Sequence, residues 1–118
     1  MKSFNIFMRM AFPLRRRAVR RWNRLKRILH RVVCGDLVAN GKPAPDIFLL
    51  AAERIGISPA DCYVFEDGYN GLRGASAAGC APVMIPDTMP ATDEMRAICM
   101  GIYPSLSAAL ADIQRGTL

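Results

Sequence analysis

A chain of 118 residues makes one domain at most, and an apolar fraction of 52% is enough to build its core. Charge is divided unevenly: residues 1–35 hold eleven of the sixteen Lys and Arg and no acid, whereas residues 36–118 hold all ten acids and five bases. The net charge of +6 therefore joins a basic head to an acidic body, which excludes a uniformly basic domain.

Met1–Pro13 is mixed in character and shows no clean period. Leu14–Arg31 predicts a basic amphipathic helix, with Val19, Trp22, Leu25, Leu29 and Val32 at helical spacing among nine arginines and lysines. Three roles fit this pattern: packing on the body with the arginines in water, attachment to an anionic membrane surface, or contact with nucleic-acid phosphates. An acid-free, Arg-rich start also fits an organellar targeting segment. Residues 1–31 are thus expected to form a basic amphipathic segment, separate from a body over 32–118. His30, the single histidine, sits among arginines that would lower its pKa, and is expected to be a surface residue rather than a catalyst.

The body alternates strand and helix signals. Val32–Cys34 is a short strand candidate, followed by turns at Gly35-Asp36 and Gly41-Lys42-Pro43. Pro43 biases Lys42 toward extended or turn geometry. Pro45 suits the first turn of a helix over Asp46–Ile55, with Ile47, Leu50, Ala51 and Ile55 on one face and Gly56 as its stop. Strands are predicted at Tyr63–Phe65, Pro82–Ile85 and Gly101–Tyr103. Helices are predicted over Tyr69–Ala78, Asp93–Met100 and Ser105–Gln114, the last capped by Ser105 and packed through Leu106, Ala109, Leu110 and Ile113. The rhythm is α/β, with parallel strands under helical cover.

Cys34, Cys62, Cys80 and Cys99 form no C-x-x-C pair and are expected to be buried thiols of a cytoplasmic protein. No run of eighteen apolar residues exists, and Arg9 and Pro13 interrupt the only stretch resembling a secretory signal, Ile6–Leu14. Gly68, Gly71 and Gly74 do not have dinucleotide-binding spacing. They are expected to relieve a tight turn and a close helix contact.

The most informative stretch is Cys62–Gly79, CYVFEDGYNGLRGASAAG. An apolar strand ends in Glu66 and Asp67, turns at Gly68 and enters a helix. Open α/β sheets build sites at such strand ends, and paired carboxylates suit a hard cation such as magnesium. Spacing alone equally allows a solvated turn lysine at Lys42 and an ordinary turn with a helix cap at Glu66-Asp67.

Three segments together, GKPAPDIFLLAAERIG at 41–56, YVFEDGYNGLRGASAAG at 63–79 and PVMIPD at 82–87, resemble the carboxyl-terminal half of a haloacid dehalogenase superfamily hydrolase. The nearest subgroup is the β-phosphoglucomutase-like phosphatases, and the resemblance covers about residues 32–118. It implies a partial Rossmannoid parallel sheet with flanking helices, lacking the nucleophile strand and the cap domain. It also implies a catalytic Lys42, a magnesium site held by Asp67 and Glu66, and a phosphorylated sugar as substrate.

A serine usually follows the two acids in that family; Gly68 stands here. The family's Asp-x-Asp nucleophile motif occurs nowhere in the sequence. The family places that strand directly beside the Glu66-Asp67 strand, so an unfilled position is expected there, with self-association through exposed sheet edges as its consequence. These 118 residues are expected to be a truncated member, inactive alone. The alternative is a non-catalytic remnant or binding module whose basic helix meets nucleic acid, a membrane surface or a protein partner.

Overall fold

The computed structural model describes residues 10–11 and 38–118. The expected basic helix over Leu14–Arg31, the strand over Val32–Cys34, His30 and Cys34 lie outside the described residues. The element order is β1 (Met10–Ala11), α1 (Asp46–Ile55), a 3-10 turn (Pro59–Asp61), β2 (Tyr63–Glu66), α2 (Tyr69–Ala77), β3 (Ala81–Met84), α3 (Asp93–Ile98), β4 (Gly101–Ile102) and α4 (Leu106–Arg115). Strands lie in the order β1-β2-β3-β4. β2, β3 and β4 are parallel, with Tyr63 beside Ala81 and Val83 beside Gly101. Parallel neighbours need a crossover, which α2 and α3 supply.

The expected parallel sheet with flanking helices is therefore present. β1 is the departure: Met10 and Ala11 pair with Val64 and Tyr63 and run antiparallel to them. A two-residue segment of the head stands beside β2, where the family resemblance puts a parallel nucleophile strand. Its physical role there is plain, since the outer edge of a buried strand carries backbone groups that need partners.

Alternation in β2 splits the core between two layers. Cys62 and Val64 pack with Ile47, Phe48, Ala51 and Ala52 of α1 and Ala75 of α2. Tyr63 and Phe65 point the other way, toward Ala109, Leu110 and Ile113 of α4. Met84 joins Leu72 and Met95 in a third cluster between α2 and α3. β2 and β3 are buried along their whole length, which explains why they read as continuous apolar runs rather than alternating ones.

Two details of the packing differ from expectation. Phe48 and Ala52 are as buried as Ile47 and Ala51, because α1 faces both the sheet and α2 and so needs a wider apolar stripe. The Ile55 side chain lies outside the described residues. Leu106, expected in the inner stripe of α4, is 38% exposed; it is the first residue of the helix, and the packing is carried by Ala109, Leu110 and Ile113. Helix ends follow local chemistry. Gly56 and Gly79 adopt left-handed backbone after α1 and α2, and Pro45 stands just before α1 rather than inside it. Ser105 Oγ accepts from Ala108 N–H and Thr92 Oγ1 from Met95 N–H. Cys62 and Cys80 are buried and Cys99 half-buried, and burial pushes their thiols up to about 12, 11 and 11. Among the described residues, no helix is long and apolar enough to cross a membrane.

Candidate active site

Glu66 closes β2, and Asp67 follows it at the carboxyl edge of the parallel strands. The Glu66 side chain folds back into the protein, leaving the residue 4% exposed. Its Oε1 accepts hydrogen bonds from the Asp67 N–H at 3.0 Å and the Gly68 N–H at 3.3 Å. Its Oε2 is buried, receives no hydrogen bond from the described residues, and faces Lys42 Nζ at 3.7 Å. Burial, followed by the neighbouring Asp67 carboxyl, raises the Glu66 pKa above the usual carboxylate range. The Lys42 charge and the two amides oppose that rise without reversing it.

Lys42 reaches this position from a compact turn. Ala44 N–H donates to Gly41 C=O at 3.0 Å, and the Lys42–Pro43 peptide is cis. Asn40 anchors the turn to α1, giving both its backbone N–H and its side-chain amide to Asp46 Oδ2. The Lys42 side chain keeps 24% of its surface, so the ammonium is within reach of water while its partner carboxylate is not.

Two glycines of α2 make the approach possible. A Cβ at Gly71 would lie 2.5 Å from Glu66 Cγ and 2.7 Å from its Oε2. A Cβ at Gly74 would lie 2.9 Å from both the Ala44 carbonyl oxygen and the Phe48 ring. The expected close helix contact is found at both. Gly68 has ordinary extended backbone, and the nearest atom to a Cβ there is 3.8 Å away. Its place as the residue before α2 leaves that helix without a side-chain cap.

Lys42, Glu66 and Asp67 border one cleft of about 460 Å³. Asn70 and Arg73 of α2 and the Thr88-Met89 loop after β3 complete its wall. The sequence reading did not single out Arg73, Thr88 or Met89. Arg73 lies one helical turn beyond Tyr69, on the same face, and its guanidinium is 5.9 Å from the Tyr69 ring centre. It also binds Glu94 of α3 through Nε and Nη2 and Asn70 through Nη1. Thr88 and Met89 follow a neighbouring parallel strand, so the rule that such loops share one crevice could have found them.

The donor chemistry fits a hard divalent cation. Magnesium commonly takes one or two carboxylates and fills its shell with water and substrate oxygens. Glu66 and Asp67 offer oxygen ligands only, and Glu66 Oε2 has hydrogen-bonding capacity to spare. Among the described residues no group of three or more His, Cys, Asp or Glu converges as a ready-made metal cage.

The fold and site define an α/β protein that gathers a lysine and two acids at the end of a parallel strand. The sequence pattern of the haloacid dehalogenase-like hydrolases matches residues 12–79, more than half of the chain. The chain belongs to that family. It is 57% identical over 60 residues to a probable pseudouridine-5'-phosphatase of Drosophila melanogaster, across 47% of this chain and 26% of that protein. It is 49% identical over 55 residues to the fructose-1-phosphate phosphatase YqaB of Escherichia coli, across 47% of this chain and 29% of that one. The crystal structure of CbbY from Rhodobacter sphaeroides in complex with phosphate superimposes with a TM-score of 0.59 and 33% identity, over 68% of this chain and 36% of that one. The chain thus spans 26% and 29% of the length of these two curated relatives.

Proposed function

We propose that this chain carries the lysine-and-carboxylate half of a magnesium-dependent phosphatase or phosphomutase centre acting on a sugar phosphate. The observation that supports this reading is the convergence of Lys42, Glu66 and Asp67 on one cleft at the carboxyl end of β2. Phosphoryl transfer needs positive charge over the transferring oxygens and a fixed geometry for the attacking group. Lys42 provides a compact point charge held at a set position by Glu66. Asp67 and Glu66 would hold magnesium, which when bound supplies further charge stabilisation to the phosphate. Glu66 has a second task, since its buried carboxylate keeps the Lys42 ammonium at the cleft wall. Asn70 and Thr88 offer polar side chains along the same wall for substrate hydroxyls. The sugar phosphate follows from the chemistry in the name of a relative, the fructose-1-phosphate phosphatase.

The sequence has no Asp-x-Asp, so we assign the attacking carboxylate to a segment outside these 118 residues. The test combines two measurements on the purified chain. Titration with magnesium and with inorganic phosphate should show binding that Asp67→Ala and Lys42→Ala respectively weaken. Incubation with fructose-1-phosphate and magnesium should release no phosphate. Magnesium and phosphate both failing to bind would overturn the site. Phosphate release that Asp67→Ala abolishes would overturn the assignment of the nucleophile.

A further inference from the structure

Helix α2 has nine residues, and two of its interior positions are glycine. Glycine inside a helix is destabilising relative to alanine. Neither position needs glycine for its backbone, since among the described residues the positive φ angles of glycine are at Gly56, Gly79 and Gly116. The reason must lie in the missing Cβ. At Gly71 the space is taken by Glu66, whose Cγ, Cδ and Oε2 would lie 2.5, 2.6 and 2.7 Å from an added Cβ. Flexing the tip of the side chain does not relieve this, because Cγ itself is in the way and the two backbone amides fix Oε1. At Gly74 the space is taken by the Ala44 carbonyl oxygen and the edge of Phe48. Ala44 closes the turn that carries Lys42. The two notches, three residues apart on one helix face, thus receive Glu66 itself and the turn that carries its partner Lys42.

We infer that Gly71 and Gly74 are positioning residues for the Lys42–Glu66 pair: Gly71 seats the Glu66 carboxylate, and Gly74 lets the Lys42 turn close on α2. The inference rests on the reading of that pair as the charged wall of the site. Its mechanical content stands apart from any turnover. With an alanine at position 71 the carboxylate leaves its seat and Lys42 loses its anchor. With an alanine at position 74 the carboxylate stays seated and the lysine turn moves outward.

The experiment is a urea-unfolding cycle on the full chain, joined to carbon-13 spectra of the Glu66 carboxyl and the Lys42 ε-methylene. Gly71→Ala should lower the unfolding midpoint and shift both resonances. In a Glu66→Ala background the same substitution should raise the midpoint, as an ordinary glycine-to-alanine change in a helix does. Gly74→Ala should shift the Lys42 resonance, leave the Glu66 resonance in place, and lower the midpoint in both backgrounds. Ser76→Ala, exposed on the same helix, should move neither resonance. If Gly71→Ala does not fold, its recovery by Glu66→Ala carries the same conclusion. For Gly71→Ala, the same direction of change in both backgrounds, an unmoved Glu66 resonance, or failure of the double variant with Glu66→Ala to fold would overturn the inference, as would an unmoved Lys42 resonance in Gly74→Ala. None of these readings uses magnesium or phosphate binding, so a chain that passes them yet binds neither ligand removes the proposed site and leaves the positioning intact.

Discussion

Lys42 and Glu66 meet at the cleft, one from the turn before α1 and the other from the end of β2, with Nζ 3.7 Å from Oε2. The contact is asymmetric: the lysine retains water, whereas the carboxylate is almost wholly enclosed. The lysine charge thus makes the buried acid tolerable. Lys42→Ala is expected to cost about 1–3 kcal/mol at neutral pH without magnesium, the usual penalty of stranding a buried polar group. The same substitution should cost much less in a Glu66→Gln background, because no charge is then left behind. Urea unfolding of the four proteins measures the difference, and equal costs in both backgrounds would show that the pair is not coupled.

Gly68 precedes α2 with φ −93° and ψ 144°, a conformation open to any residue, and its Cβ position is clear. No side chain caps the helix. Gly68→Ser should therefore raise stability by about 0.5–1 kcal/mol, through a new cap and a less flexible unfolded chain. A lower urea midpoint would show that the site depends on the absence of a side chain there.

Much of this arrangement is legible in the sequence because the relevant signals are local. The apolar run before Glu66, Gly79 after α2 and the paired prolines around Ala44 each act within a few residues of the structure they specify. Lys42, Glu66 and Asp67 are legible as a set through the family resemblance. β1 is not, because a two-residue strand has no period, and its pairing depends on the edge that β2 leaves open. Phe48 is missed for a related reason. A single-stripe reading of α1 does not anticipate a second neighbour, and Phe48 is buried because α2 presents a glycine to it. Arg73 carries no local signal, because its partner Glu94 is brought beside it only by α3.

A second linkage gives the pH dependence. Tyr103 Oη donates to Asp112 Oδ2 at 2.7 Å, and Arg115 pairs with the same carboxylate. Tyr103, and then Arg115, hold the Asp112 carboxyl below the usual range. The Asp112 bond, and then burial, hold the Tyr103 phenol above its ordinary value. The acid contributes stability above its unfolded pKa, and this is lost as pH falls through the depressed folded value. The phenol contributes stability below its unfolded pKa, and this is lost as pH rises through the elevated folded value. The gap in unfolding midpoint between the native chain and Tyr103→Phe should be widest from about pH 4 to about pH 10 and close at both ends. A gap that does not change with pH would assign the whole effect to packing.

The two acids at the end of β2 should differ in what they give a cation. Glu66 already shares Oε1 with two amides and faces Lys42 through Oε2, whereas Asp67 stands at the cleft wall beyond the strand. Asp67→Asn removes a charged oxygen ligand and keeps the size of the side chain, so magnesium affinity should fall roughly tenfold or more. Glu66→Gln should weaken magnesium binding too, and it should also release Lys42, so that its effect extends to phosphate binding while that of Asp67→Asn centres on the metal. Glu53→Gln, on the exposed face of α1, should change neither. Calorimetric titrations with magnesium and with inorganic phosphate separate these cases. Equal loss of both ligands in Asp67→Asn and Glu66→Gln would mean that the two carboxylates act as one unit, and unchanged magnesium affinity in Asp67→Asn would remove Asp67 from the metal site.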